Sequence, residues 1–181
     1  MRVIAGQWRG RTIVAPKGEA TRPTADRTRE TLFNMLASRF GAFNDLKVAD
    51  LFAGSGALGI EALSRGAGHC LFVEQDKAAL DAIRANIRTF EARGNSDVRA
   101  ASVMALPAVT EPYDLILLDP PYDTGAGAVA LDRLLRLGWI GENTVMAVET
   151  GAKEPVEVKG LTLEKERRVG KAKLHILKRA D

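Results

Sequence analysis

The chain is poor in the residues that build disulfides, metal centres and membrane spans. Among 181 residues there is one cysteine, Cys70, and there are two histidines, His69 and His175. A single thiol forms no internal disulfide, and Cys70 lies in an apolar run where cysteine acts as a small core residue. The histidines stand alone, each read as structural or exposed, so no metal cluster is expected. No Cys/His or Ser/His/Asp grouping points to hydrolysis. No apolar stretch approaches the ~20 residues of a membrane span, and no signal-like run opens the chain. The expectation is a cytoplasmic protein with no membrane contact. Repeats, low-complexity segments and an interdomain linker are also absent. This length then implies one domain, residues 1–181, with a core large enough to need no staples. Hydrophobic residues at 46% and charged residues at 27% are ordinary globular values that argue against disorder.

The net charge is only +3, but it is uneven. Residues 1–39 carry eight Arg and Lys against Glu19, Asp26 and Glu30, a local +5, whereas residues 40–181 sum to −2. A basic extension (residues 1–40) on a near-neutral body (residues 41–181) fits a polyanionic partner. Seven of the eight are Arg, the better residue for phosphate forks and base stacking.

Within that extension, Arg2–Gly6 and Arg11–Ala15 read as two short strands around Trp8-Arg9-Gly10, a hairpin projecting from the main sheet. Trp8 is placed either to stack on a nucleobase or to pack the hairpin down. Thr24 can cap a helix over about Ala25–Phe40, with Leu32, Met35 or Leu36, and Phe40 as its buried stripe. From Lys47 strand and helix alternate. Helices are expected up to about Arg65, over about Asp76–Arg93 and over Ala126–Leu137. Strands are expected at Val48–Asp50, Cys70–Glu74, Val98–Ala101, Tyr113–Leu118 and Thr144–Glu149. Such alternation means βαβ units and a parallel sheet covered on both faces. The tail differs, since Leu161–Val169 and Ala172–Lys178 flank Gly170 with no helix between, as in a closing antiparallel hairpin.

The segment from Val48 to Leu63 organises the rest. A short apolar strand leads through a glycine-rich turn into a helix, with Gly54, Gly56 and Gly59 at G-x-G-x-x-G spacing. Glycines there allow a tight turn, close approach to a ligand and close helix–strand packing. Glu74 ends the next strand twenty residues after Gly54, where an acid is placed to take ribose hydroxyls. Asp50 ends the first strand. A carboxylate there repels the pyrophosphate of a dinucleotide and attracts an ammonium or sulfonium, which favours S-adenosylmethionine over NAD.

The strand Tyr113–Leu118 runs into Asp119-Pro120-Pro121-Tyr122. Two prolines stop the strand and remove two backbone donors. Acceptors remain, beside an aromatic ring. That combination suits a planar base whose exocyclic amine donates to the acceptors while its ring stacks on Tyr122.

These segments resemble known motifs. Asp50–Gly59 resembles the cofactor motif of class I methyltransferases, and Asp119-Pro-Pro-Tyr122 the catalytic motif of amino-group methyltransferases. Gly6-Gln-Trp-Arg-Gly-Arg11, Arg22-Pro-Thr-x-Asp-Arg-x-Arg-Glu-Thr-Leu-Phe-Asn34 and Phe52-Ala-Gly-Ser-Gly-Ala-Leu-Gly-x-Glu-Ala-Leu-Ser-Arg65 together resemble the RsmD family, over nearly the whole chain. The resemblance implies a Rossmann-like α/β sheet, mostly parallel with an antiparallel C-terminal hairpin. It implies methylation of the 2-amino group of a guanine in 16S rRNA (family target guanine 966), on rRNA or the small subunit; a monomer is expected. It places the cofactor against Asp50, Phe52, Ala53, Gly54, Ser55, Gly56, Gly59, Glu74, Gln75, Arg22, Thr24, Ser102, Val103 and Met104. Catalysis falls to Asp119, Pro120, Pro121 and Tyr122, and RNA contact to Trp8, Arg9, Arg11, Arg22 and Arg27. One departure stands out: the family fold usually has an Asp after the third strand for the adenine amino group, whereas Ala101–Leu106 here contains no acid. The alternatives are a DNA adenine or cytosine amino-methyltransferase, whose separate recognition domain has no room here, and a non-catalytic RNA-binding module.

Overall fold

In the computed structural model, which describes residues 1–18 and 23–181, seven strands form one sheet in the order β3-β2-β1-β4-β5-β7-β6. The strands are β1 (Lys47–Leu51), β2 (His69–Glu74), β3 (Ser96–Ala100), β4 (Tyr113–Leu118), β5 (Ile140–Gly151), β6 (Leu161–Val169) and β7 (Ala172–Arg179). The first five run parallel, and β7 joins β5, then β6, antiparallel. The helices are α1 (Pro23–Phe40), α2 (Ala57–Ser64), α3 (Lys77–Thr89) and α4 (Ala126–Arg136).

The parallel strands are apolar throughout because both faces are covered. Period-two alternation divides them between two cores. Val48, Cys70, Phe72, Leu115 and Leu117 pack beneath α1, α2 and α3 with Phe33, Ile60 and Ile83. Ala49, Leu71, Val73, Ile116 and Leu118 face Leu131 and Leu134 of α4, with Trp139 filling the end of that layer. In α1, Leu32, Phe33, Met35 and Leu36 are buried and Phe40 is half-buried. Each such side chain contributes about 1.5–3 kcal/mol. Arg22 and the side chain of Thr24 lie outside the described residues.

The N-terminal segment differs from the projecting hairpin read from sequence. Its pairing is a single antiparallel bridge, Arg2 to Thr12. Val3 and Gly10 N–H pair with the Arg11 and Val3 carbonyls (2.9 Å each) and Ile13 N–H with that of Met1 (2.7 Å), but beyond this short ladder backbone donors turn to the body. Ile4 and Ala5 N–H donate to the two oxygens of Glu61 (2.9 and 3.1 Å), Trp8 N–H to Ser64 Oγ (3.0 Å) and Val14 N–H to Asn86 Oδ1 (2.8 Å). The arm is thereby clamped onto α2 and α3. Glu61 is fully buried and also holds Arg29 (3.4 Å) and Arg65 (2.9 Å), which ties arm, α1 and α2 together. The remaining differences are at element ends. Helix α3 stops at Thr89, since Phe90 packs into the core and Glu91 takes a left-handed conformation. Strand β5 begins four residues before its apolar run. No helix among the described residues is long and apolar enough to cross a membrane, and none of their His, Cys, Asp and Glu groups is arranged to hold a metal.

Candidate active site

Four of the five parallel strands deliver a carboxylate to the same edge of the sheet: Asp50 from β1, Glu74 from β2, Asp119 just beyond β4 and Glu149 near the end of β5. They gather around two turns, the glycine-rich one after β1 and the Pro-Pro one after β4.

The first turn is held from both sides. Asp50 Oδ2 accepts the Gly59 N–H at 2.9 Å, and Glu74 Oε1 accepts the Gly54 N–H at 2.9 Å. Two glycines are required for different reasons. Gly54 takes φ +58° with open space where a side chain would stand, and Gly59 lies so close to Phe72 and Cys70 that a Cβ would sit 2.3 Å from the Phe72 ring. Phe52 adopts φ +56° although it is not glycine, a conformation costing about 1–3 kcal/mol and found mainly where function demands it. Ala53 N–H donates to the Val73 carbonyl (3.1 Å), and Ser55 is buried with its carbonyl taken by Asn86 Nδ2 (2.9 Å).

Asp50 is fully buried and its Oδ1 has no hydrogen-bond partner among the described residues. Burial lifts its carboxyl well above the usual range; the Gly59 N–H works against that lift, and the Asp119 and Glu74 carboxylates add to it. Asp50 therefore shapes the turn rather than meeting a ligand directly as its strand-end position implied. Glu74 is half-buried. Its Oε2 accepts the N–H groups of Gln75 (2.8 Å) and Asp76 (2.9 Å). A carboxylate offers about four lone-pair sites, so three are filled and one is left for a ligand hydroxyl, not the two that the strand-end position implied. Gln75 is exposed beside it. Ala101 N–H donates to the Glu74 carbonyl (3.0 Å), which brings the 101–106 segment to the same rim. There Ser102 Oγ accepts the Met104 N–H (3.1 Å) but keeps its own proton to donate, Met104 is half-buried, and Val103 belongs to the core.

The second turn is equally fixed. Asp119 N–H reaches the Leu51 carbonyl (3.4 Å), so β4's end abuts β1's. Pro120 is buried, and among the described residues its carbonyl accepts no hydrogen bond, whereas that of Pro121 takes the Thr124 hydroxyl (2.8 Å). Tyr122 is 43% exposed and donates its hydroxyl proton to Glu149 Oε2. Glu154 accepts Asp123 N–H (2.6 Å) and Gly125 N–H (3.2 Å), which pins the rest of the loop. The protein around Asp119, then the Glu149 charge, push its carboxyl up to about 8. Asp119 faces an open crevice and is exposed to water, which offsets part of that push; its position supports the upward direction. Burial also raises Glu149, opposed by the Tyr122 hydroxyl.

Glu149 and Glu154 were missed from sequence. Glu149 repeats the pattern that marked Glu74 and Asp119, an acid closing an apolar strand, so the same rule would have found it. Glu154 leaves no such signal, since it accepts backbone N–H groups 29 and 31 residues away.

The residues read as an RNA surface divide. Arg9 and Arg27 are exposed. Arg11 is exposed but tethered, its guanidinium donating to the Thr89 carbonyl (2.9 Å) and lying 4.7 Å from the Phe90 ring centroid. Trp8 is the correction: it is 8% exposed and packs on Phe90 at 4.9 Å, so its ring is core and does not face a base. Of the basic arm residues, Arg29 is internal.

The family model described as conserved hypothetical protein 95 matches residues 1–178. Ribosomal RNA small subunit methyltransferase D of Escherichia coli (strain K12) is 39% identical over 151 residues, covering 83% of this chain and 74% of that protein. The protein of the same name from Haemophilus influenzae is 34% identical over 176 residues, covering 94% and 89%. Among solved structures, the yhhF protein of Escherichia coli superposes with a TM-score of 0.82 at 36% identity, covering 99% of this chain and 97% of that one. The chain therefore belongs to the RsmD family of methyltransferases, with the seven-stranded sheet of class I enzymes.

Proposed function

We propose that this protein transfers a methyl group from S-adenosylmethionine to the exocyclic 2-amino group of a guanine in 16S rRNA, guanine 966 in the family's rRNA numbering, during small-subunit assembly. The observation that carries this reading is the pair of unengaged acceptors at the Pro-Pro turn, the Asp119 carboxylate and the Pro120 carbonyl, next to the exposed ring of Tyr122. The names of the relatives supply the substrate class, rRNA of the small subunit. The protein acts as one unit, residues 1–181, monomeric and cytoplasmic.

The residues present fit the cofactor. Glu74 keeps one acceptor site for a ribose hydroxyl, Gly54 leaves space above the turn, and the acidic side chains of Asp119 and Glu149 suit a cation. Ser102 and Met104, on the rim beside Glu74, would hold the adenine in place of the missing acid. When bound, S-adenosylmethionine supplies an electrophilic methyl group on a sulfonium. A cation sharing the crevice would draw Asp119 toward its carboxylate form, because an opposite charge favours ionisation.

The guanine amine is a poor nucleophile, its lone pair being delocalised into the ring. Asp119 and the Pro120 carbonyl accept its two hydrogens, which raises electron density on nitrogen and orients the lone pair. Alignment and electrostatic stabilisation supply most of the rate. After transfer, Asp119 takes the surplus proton and passes it to water. Tyr122 replaces the stacking that the base loses on leaving its neighbours, and its bond to Glu149 fixes the ring. The test is labelled methyl transfer to 16S rRNA and to small subunits, followed by mapping of the modified base. Methyl on a guanine 2-amino group is expected; methyl on DNA adenine or cytosine, or none, would overturn the assignment.

A further inference from the structure

The near-neutral body read from sequence is an average of two unlike parts. Residues 40–158 carry ten basic and seventeen acidic residues, a net −7, whereas residues 159–181 carry eight against three, a net +5. The β6–β7 hairpin is thus as basic as the N-terminal arm. Its charge is also concentrated at one end. Mid-strand β6 holds Glu164, Lys165 and Glu166, but from Arg167 to Lys173 there are four cations and no acid.

Lys173 is paired with Glu166 at 3.2 Å. Arg167, Arg168 and Lys171 are exposed and form no ion pair among the described residues. Arg168 Nε donates to the Gly170 carbonyl (3.1 Å), which holds its guanidinium at the turn. Arg168 also stands directly opposite Lys173 in the antiparallel ladder. Like charges so placed destabilise a sheet. Charge along an edge strand does protect against edge-to-edge pairing, but that purpose needs neither one sign nor a cross-strand repulsion. A bound polyanion removes the repulsion.

The fold puts this tip at the active-site edge. Gly151, at the end of β5, pairs with Ala172, and Ala152 N–H donates to the Lys171 carbonyl (3.1 Å). Glu149, Leu174 and Arg167 occupy one row across β5, β7 and β6 and share a sheet face. With strands spaced at 4.7–4.9 Å, the Arg167 backbone is about 10 Å from that of Glu149.

We infer that Arg167, Arg168 and Lys171 at the tip of the β6–β7 hairpin form a second RNA-binding surface, gripping backbone phosphates next to the nucleotide held at Asp119–Tyr122. This rests on the rRNA substrate proposed above. The experiment measures binding of a 16S rRNA fragment spanning the target guanine as a function of salt. Wild type is compared with R167Q/R168Q/K171Q, with K171Q alone and with R9Q/R27Q in the arm. Each lost phosphate contact lowers the log–log slope by roughly 0.7–0.9, so the triple variant should lose about 2 and K171Q somewhat under 1. Its affinity for S-adenosylmethionine and its kcat at saturating RNA should be unchanged, and its melting temperature equal or higher. A folded triple variant with the wild-type slope would overturn the hairpin surface, as would one impaired only on assembled subunits, since its partner would then be protein. Wild-type enzyme that neither binds nor methylates the fragment or the subunit would instead overturn the rRNA reading itself.

Discussion

Asp119→Asn separates what the acid does for the reaction from what it costs the fold. The amide keeps the shape of the side chain and one acceptor oxygen but removes the charge and the ability to take a proton. Asp119 is held by a turn whose two prolines fix the backbone, so the wild-type acceptor is preorganised. Losing one such partner costs about 2.7–4 kcal/mol, a hundred- to thousandfold in rate. Stability should move the other way. The carboxyl is raised from 3.8 to about 8 in the folded protein by the surrounding protein and by Glu149. Between these two values the folded state binds more protons than the unfolded one, so this group's contribution is fully present below about pH 4 and is lost as pH rises through about 8.

Asparagine carries no such dependence. Its advantage in melting temperature should be near zero at pH 4 and largest above pH 8. Discounted for the water in the open crevice, the gain is on the order of 1 kcal/mol, or about 2–4 °C for a chain of this size. Saturating S-adenosylmethionine should flatten the wild-type curve, because a nearby cation favours the ionised carboxylate and opposes the shift. Single-turnover methyl transfer, run beside thermal melts from pH 4 to 9, measures both effects. A folded, cofactor-binding Asp119→Asn enzyme working at near wild-type rate would refute the catalytic role, and a melting difference independent of pH would refute the electrostatic account.

Glu74→Ala should weaken S-adenosylmethionine binding by about 1.5–3 kcal/mol in calorimetry on protein shown by melting to be folded; unchanged affinity would remove Glu74 from the cofactor site. Tyr122→Phe keeps the ring but frees Glu149, so activity should fall less than tenfold while the pH profile shifts, since the hydroxyl no longer lowers the Glu149 carboxyl. Tyr122→Ala loses base stacking, about 1–3 kcal/mol, and should act on KM for RNA; equal effects of the two substitutions would contradict a stacking role. Glu61→Ala removes the acceptor of the Ile4 and Ala5 N–H groups and one partner each of Arg29 and Arg65, and should cost about 3–5 kcal/mol in denaturant unfolding; a loss below 1 kcal/mol would show that the arm is held by other contacts.

The parallel sheet was legible because its strands are buried on both faces and so appear as unbroken apolar runs between helical periods. The two turns were legible because glycine and proline are restricted by geometry rather than by context. What escaped notice depends on partners far away in sequence. Nothing around Trp8 shows that Phe90 waits beneath it, and nothing around Ile4 shows that Glu61, 57 residues on, takes its N–H. A buried acid satisfied by backbone donors looks in sequence like any surface acid. The basic tail was hidden for another reason: its charge cancels against the acidic core when the two are summed.

That acidic core explains why the remaining charges are arranged as they are. Setting Asp50, Glu74, Asp119 and Glu149 at four strand ends within one crevice is unfavourable: burial raises Asp50, Asp119 and Glu149, and neighbouring carboxylates add to the lift on Asp50 and Asp119. Backbone donors relieve two of the four, Gly59 for Asp50 and the N–H groups of Gly54, Gln75 and Asp76 for Glu74. Asp119 and Glu149 have no comparable set of donors. They stand where a positive methyl donor would neutralise them, yet a crevice of this sign repels the phosphates of an RNA strand. The chain must therefore supply cations close by to bring that strand in. The hairpin tip does so from the β6 edge of the same sheet, about 10 Å away, which lets a negative site recognise a cationic cofactor and still receive a polyanionic substrate.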